Sequence, residues 1–499
     1  MRFPAVSLSL TLAALVLPGC ATFRSYDAEL RQTLSMAASG QVDAAIKTLD
    51  KHNKGDEKDL LYYMEMGELQ RLGSHYDKSQ HVWMSADKKV QEWEAAAKLD
   101  PLRVSGSVAS YLLNDKLRPY EGQDFEKVML TTRMAMNFLA KGDFDSARVA
   151  IKQTHEREAL IADVRSKQYA QVEDQARKKG ASTSFRELNG YPVATIDTPE
   201  VRALRNSYQS AFSHYLAGFI YEALGEPSLA AAGYRQAIEL RGSTPLLDEG
   251  LAALDQRVAA RDDGRTDVLF AIETGLAPAR VSQQFSLPIP VNDRLMLISV
   301  SFPVLQNQAP DTSVSRLLLN GQDEVPAAKI TSVDAMARRA LEDEMPGIML
   351  RGFVRSTGKA VAQYQAQRQA ELRRKQGDDG ASAALDIAAI ALMIGSAVTE
   401  SADERGWRSL PATIHVARAK VPPGSYSLTL DAPGAPQPVQ VNIGGRHAFV
   451  ALRLIGGRLF TMLPPASGDG APPAASTQST EGPRAPPVNV STTMEEPAS

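Results

Sequence analysis

From about residue 24 to residue 260 the chain repeats one local grammar: a run of helix-forming residues, a glycine, a short polar turn, and a second run opening on small residues. Ala37 to Ile46 reads AASGQVDAAI, and Leu72-Gly73-Ser74-His75-Tyr76-Asp77 returns in the same sense one period later. Met134 to Ile151 reads MAMNFLAKGDFDSARVAI, and the clearest copy, Tyr215 to Leu240, reads YLAGFIYEALGEPSLAAAGYRQAIEL. Apolar residues spaced near 3.6 in a stretch rich in Ala, Leu, Glu, Lys and Gln predict amphipathic helices. A glycine at a helix end adopts the left-handed conformation at little steric cost, so Gly73, Gly142 and Gly225 are expected to close the first helix of each pair. Ala147, Ala217, Gly218 and Ala230 are small enough for paired helices to approach closely, and Tyr76, Phe144, Tyr221 and Tyr234 are expected to fill the grooves between units. The interval from Gly142 to Gly225 is longer than the others; the polar run Arg165 to Arg186 absorbs the excess, as an extended helix or an insertion.

These units resemble the tetratricopeptide repeat, whose period is about 34 residues. Four are discerned, two clear and two degenerate; the competing arrangement is a helical bundle without superhelical stacking. Stacked helical repeats curve, and the concave surface suits peptides and protein segments, although a scaffold of this kind does not dictate one function.

Near Asp267 the texture changes. Val268 to Ile272 and Leu295 to Val300 are apolar runs bounded by Pro, Gly and Asn-Asp, as strands are. Asn320-Gly321 follows Leu317-Leu318-Leu319 as a hairpin turn. Val333 to Glu344 and Gly347 to Lys375 read as two helices, and strands return at Ile414 to Ala417, Ser425 to Leu430, Val439 to Ile443 and Phe449 to Leu454. Pro422-Pro423-Gly424 reads as the tight turn between the first two of these. The fold class is therefore α+β: a helical-repeat domain over 20–260, then a smaller, antiparallel β-sandwich-like domain over 265–463 with helices inserted at about 333–400. From 464 to 499 Pro, Ala, Ser, Thr and Gly dominate, a composition that buries too little apolar surface to order itself.

The first 19 residues read as a leader. Arg2 gives a positive start, Val6 to Leu17 an apolar core, and small Gly19 precedes Cys20, the only cysteine in 499 residues. The apolar run is about half the roughly 20 residues needed to span a bilayer. Leu17-Pro18-Gly19-Cys20 resembles a bacterial lipobox, which implies diacylglyceryl attachment at Cys20 and, with Ala21 next, passage to the outer membrane. Two or more acyl chains hold a protein on a membrane where one does not. With no second cysteine the fold stands without disulfides.

Several segments go beyond a generic repeat. These are Leu113-Asn114-Asp115 with Arg118-Pro119-Tyr120-Glu121-Gly122 and Phe125-Glu126-Lys127-Val128; Asn206-Ser207-Tyr208-Gln209; Tyr221-Glu222-Ala223-Leu224-Gly225; and Ala402-Asp403-Glu404-Arg405-Gly406-Trp407 with Leu410-Pro411. With the lipobox they resemble an uncharacterised family of tetratricopeptide-like lipoproteins of Gram-negative bacteria, over roughly residues 15 to 460. The resemblance implies an envelope lipoprotein facing the periplasm, with a link to peptidoglycan synthesis. Read from the residues, Pro119 and Gly122 force a loop in which Arg118 and Glu121 flank Tyr120. That loop either caps a repeat interface or presents Arg118, Tyr120 and Glu121 to a partner.

No catalytic constellation stands out. The seven histidines lack metal-ligand spacing, and His155-Glu156 lacks the second histidine of a zinc-protease helix. There is no G-x-S-x-G elbow. Gly352 to Lys359 (GFVRSTGK) has one residue too many between its glycines for a phosphate loop and Ala360 where a hydroxyl is needed. Glu273 and Asp403 are carboxylates at candidate sheet-end loops, and the basic face around Arg368, Arg373, Arg374 and Lys375 lacks the aromatics of a nucleic-acid surface. Formal charge is only −3, so no global field points to nucleic acid. No cofactor is implied. The reading is a non-enzymatic scaffold, joined to the membrane by its anchor and to an envelope protein by its repeats. The alternatives are an envelope hydrolase of cell-wall or glycan substrate, which clustered carboxylates in a deep cavity would favour, and a secretion or assembly accessory using the apolar run Ile387 to Val398.

Overall fold

A computed structural model describes residues 26–55, 57–100, 119–291, 294–306, 312–375, 401–432 and 437–462. Cys20 and its leader, Arg118, the run Ile387 to Val398 and the tail from 464 lie outside these residues.

The N-terminal part is helical. Four antiparallel helical hairpins follow one another: α1 (Tyr26–Ala38) with α2 (Val42–His52), α3 (Leu60–Leu72) with α4 (Tyr76–Leu99), α5 (Asp124–Ala140) with α6 (Phe144–Lys179), and, after the short α7 (Pro199–Ala203), α8 (Ala211–Ala223) with α9 (Pro227–Arg241). Two short helices close the region, α10 (Pro245–Leu251) and α11 (Leu254–Ala259). Each hairpin turns in the same way. The second helix's leading amide bonds five residues back, from Gln41 to Met36, His75 to Gln70, Asp143 to Phe138 and Glu226 to Tyr221, all at 2.8–2.9 Å. This is a helix stop whose pivot residue is left-handed.

The pivots are Gly40, Ser74, Gly142 and Gly225, which corrects the expectation for Gly73. Gly73 keeps φ −79° and Ser74 takes φ +58°, because the five-residue bond selects the pivot by position in the turn and not by residue type. The backbones of α8 and α9 approach closely, and a Cβ on Gly233 would lie 2.7 Å from the Gly218 amide nitrogen. The Arg165 to Arg186 run proves largely helical, carrying α6 on to Lys179.

The C-terminal part supplies a sheet. Its strands are β1 (Thr266–Thr274), β4 (Arg316–Leu319), β5 (Asp323–Ser332), β6 (Thr413–Val421), β7 (Gly424–Leu430), β8 (Val439–Ile443), β9 (His447–Ile455) and β10 (Arg458–Met462), in the order β10-β9-β1-β6-β5-β4-β7-β8. Two strands stand apart as a hairpin, β2 (Arg280–Val291) and β3 (Arg294–Leu305). The Leu295 to Val300 run therefore lies in this hairpin, not in the main sheet. Asn320-Gly321, both at positive φ, turns β4 into β5 as expected.

Three expectations are corrected. Pro422-Pro423 does not close a hairpin, since β6 and β7 are separated by β5 and β4. β5 explains the spacing: it pairs with β4 through its first residues and with β6 through its last, so the sheet rolls. Secondly, β1 runs parallel to β9 in an otherwise antiparallel sheet. Thirdly, Pro346 does not split the inserted helix, and α12 runs unbroken from Val333 to Lys375. Proline forfeits one helical hydrogen bond, but Met345, Ile348, Met349 and Leu350 on both sides are buried, and Met345, Ile348 and Met349 share a core with β3.

β1 shows how the two parts join. Val268, Phe270 and Ile272 face a cluster enclosed by the rolled sheet, with Leu317, Leu428, Val441 and Leu452. Leu269 and Ala271 face the other way, into a cluster shared with helix residues such as Leu61, Met129 and Phe212. A strand buried on both faces reads as a continuous apolar run, which is why its period is lost in the sequence.

Candidate functional site

Two of the segments singled out by resemblance, around 119–128 and 402–411, meet at buried carboxyl groups, while Leu113-Asn114-Asp115 lies outside the described residues. Glu126, on the first turn of α5, accepts from Tyr120 Oη (2.5 Å), from the Gln123 amide (2.8 Å) and, across the fold, from the Trp407 amide (2.6 Å). Glu65, on α3, accepts from the Arg408 amide (2.6 Å) and the Ser409 amide (3.2 Å). Burial pushes the Glu65 carboxyl up to about 8, against those hydrogen bonds, and raises Glu126 for the same reason. The Trp407 ring meets Trp83 edge-on at 6.0 Å, and Gly67 leaves the room, since a Cβ there would lie 2.1 Å from Trp83 Nε1. The 406–409 stretch is thus held by side chains of α3, α4 and α5. Glu222 of the Tyr221 segment joins Tyr234, Arg257 and Arg418, and these partners overcome its burial to hold it at about 2. Asn206 Oδ1 accepts from the Tyr208 and Gln209 amides, a local turn.

Beside this junction opens a cavity of about 810 Å³, walled by α6, α12, the 119–123 segment, the start of β2 and Asp403 with Arg405. Tyr120 is buried at its edge with the Arg405 guanidinium 5.2 Å above its ring, and Glu121 is exposed on it. Tyr120 therefore anchors the loop while Glu121 faces the opening. Gly122, at φ +77°, makes the bend, and a Cβ there would press Leu60 at 3.2 Å. Trp93, Tyr169 and Phe185 add aromatic surface.

Of the lining carboxylates, Glu342, Asp343, Glu344 and Asp403 face an arginine. Arg280 meets Glu344 at 3.1 Å, Arg339 meets Asp343 at 2.8 Å, and Arg405 meets Asp403 at 2.7 Å. Arg165 grips Asp124 with two bonds of 2.5 and 2.9 Å. Burial would raise Asp124, but Arg165 and Lys127 outweigh it and hold the carboxyl at about 2. Lys127, itself buried, lies 3.5 Å from the Trp93 ring centre, and burial lowers its pKa against the pull of Asp124. Glu342 and Asp343 are both raised, first by burial and then opposed by Arg339. Such a chamber of paired charges and aromatic faces can bind a polar segment by exchanging ion-pair partners, and its raised carboxyls can carry protons.

The remaining candidates disperse. Asp403 reaches the cavity, whereas Glu273 is sealed inside the fold. The Gly352 to Lys359 stretch lies within α12, and His155 stacks on His214 at 4.7 Å, away from the cavity lining. Among the described residues no group of three or more His, Cys, Asp or Glu could hold a metal ion, and no helix is long and apolar enough to cross a membrane. Sequence reasoning missed Arg165, Tyr169 and the Arg339 to Glu344 run. They lie on α6 and α12, two long helices dense in charged residues. No family model, curated protein or solved structure matches the chain.

Proposed function

We propose that this chain is an outer-membrane-anchored lipoprotein facing the periplasm, a non-enzymatic scaffold that holds a segment of another envelope protein. In this reading Cys20 carries the lipid, the four hairpins are tetratricopeptide-like repeats, the rolled sheet is a sandwich-like domain, and the family resemblance points to peptidoglycan synthesis. The observation that carries it is the cavity of about 810 Å³ on which the 119–122 and 402–407 segments converge. Its size is that of a ligand site, roughly 300–1,000 Å³. Its charges are already matched, as at Arg280–Glu344 and Arg339–Asp343, which favours holding a polar chain over attacking one.

One observation favours the hydrolase alternative: Glu342 and Asp343 are adjacent carboxyls with raised pKa on the cavity wall. Glycan hydrolysis uses one protonated and one ionised carboxyl. The accessory alternative depends on Ile387 to Val398, outside the described residues.

A photo-crosslinking residue at Tyr169, with Val149 on the exposed side of α6 as control, separates these readings in intact cells. Capture of one cell-wall synthase, its activator or a secretion component at position 169 alone is the expected result. Without any position-specific adduct the scaffold reading fails. Release of glycan fragments from purified cell wall, lost in Asp343→Asn, would then establish the hydrolase.

A further inference from the structure

Five ionic side chains close on one another in the interior, away from the cavity. Glu68 and Arg71 are one turn apart on α3, Arg133 is on α5, and Glu273 of β1 lies beside Arg453 of β9 in the parallel register. All five are at most 1% exposed. Arg133 bonds Glu273 directly, and Arg71 Nη1 is 3.4 Å from the other Glu273 oxygen. Glu68 Oε1 is 3.7 Å from Arg71 and 3.6 Å from Arg133. Arg453 Nη2 donates to the Ser409 carbonyl at 2.9 Å.

The charges do not balance: three guanidiniums face two carboxylates. Burial lowers Arg453, against the pull of Glu273 and Glu68, only to about 10, so it remains a cation at neutral pH. An uncompensated buried charge is among the costliest things a core can contain. The hydrogen-bond count agrees with the charge count. Arg71 Nε, Arg133 Nε and Nη2, and Arg453 Nε and Nη1 are buried donors with no hydrogen-bond partner among the described residues, against two such acceptors in the cluster, the Glu68 oxygens, so donors remain in excess. Charge-assisted bonds from guanidinium to carboxylate run at about 2.7–2.9 Å. The 3.4–3.7 Å spacings of Arg71 and Arg133 leave donors available to a third partner.

We propose that one small monovalent anion of the halide class completes this cluster, held by the free N–H groups of Arg133 and Arg453, and thereby fastens α3 and α5 onto β1 and β9. One negative charge cancels the surplus; a dianion would reverse it. The anion binds the folded chain alone, because only folding gathers residues 68, 71, 133, 273 and 453.

The test is thermal unfolding of the mature chain at fixed pH and ionic strength, with sodium chloride replacing sodium gluconate. The midpoint should rise with chloride and saturate, the folded-to-unfolded ratio growing about a hundredfold when chloride reaches 100 times its dissociation constant. Bromide should substitute, and its anomalous signal in a crystal should lie among Arg71, Arg133 and Arg453. Arg453→Met removes the surplus cation while keeping an unbranched apolar stem and should abolish the chloride response. No response in the unaltered chain, or an equal response in Arg453→Met, overturns the proposal. So does bromide found only elsewhere, a result that needs no variant to fold.

Discussion

Asp124→Asn removes the carboxylate that buried Lys127 and partly exposed Arg165 share. Asp124 is 5% exposed and accepts from Arg165 at 2.5 and 2.9 Å and from Lys127 at 3.2 Å. Its carboxyl sits at about 2 against an ordinary 3.8, which is worth about 2.5 kcal/mol of stability. The sign follows from the direction: a depressed carboxyl stabilises the fold above its ordinary range, and that contribution is lost as pH falls through about 2. Asparagine forfeits it at every pH and strands Lys127, which is 1% exposed and lies over Trp93. Removing one partner of a buried ion pair costs about 3–5 kcal/mol, so Asp124→Asn should destabilise by that amount. The assay is urea unfolding read by tryptophan fluorescence, repeated for Lys127→Met and the double variant. Because the double variant strands no lysine, it should recover at least half the loss. In acid titration the unaltered chain should lose about 2.4 kcal/mol between pH 5 and 1, about 1.8 of it between pH 4 and 2, that Asp124→Asn does not lose. A cost below about 1 kcal/mol, or no recovery in the double variant, would refute the argument that Lys127 depends on this carboxylate.

Gly67→Ala should be disruptive, since the new methyl would lie 2.1 Å from fully buried Trp83, whose Nε1 donates to the Met64 carbonyl. Overpacking of this kind costs about 1–3 kcal/mol, to be read as a lowered unfolding midpoint; an unchanged midpoint would mean the helix contact yields freely. Cys20→Ala should abolish metabolic lipid labelling and leave the leader on the chain, and undiminished labelling would remove the anchor from the proposed function.

What could be read from the chain depended on how local its cause was. The hairpins were legible because helix period and turn are set within a few residues: Gly142 and Gly225 pivot as expected. Ser74 shows the limit, since the backbone bond from His75 to Gln70 fixes which residue turns left-handed, even at a steric cost to serine. Most strands were found as apolar runs, but their order was not. β6 passes to β7 in two residues without pairing with it, because β5 bends between both halves of the sheet. Pro346 signalled a break that burial of its neighbours overrides. At the cavity, Tyr120, Glu121 and Asp403 were anticipated, whereas Arg339 to Glu344 read only as part of a helix over Val333 to Glu344. Packing of α12 against α6, α7 and the β2–β3 hairpin turns that stretch inward.

The cavity rim explains why helices and sheet are joined in one chain. A helical hairpin alone could offer Tyr120 and Glu121, but their loop is braced by Glu126, and Glu126 also receives the Trp407 amide from the segment leading into β6. Glu65 repeats the device one step on, with Arg408 and Ser409. Each carboxyl group is buried and accepts from main-chain donors, so neither can move without leaving unpaired polar groups in the core. The Arg405–Asp403 pair is carried by the same segment, two residues before Trp407. A rim held in this way is set before any partner arrives, and a site that need not order itself on binding keeps the free energy that ordering would consume. The 401–411 segment is thus a cross-brace: the helices supply most of the cavity wall, and the sheet holds the remaining side in register with it.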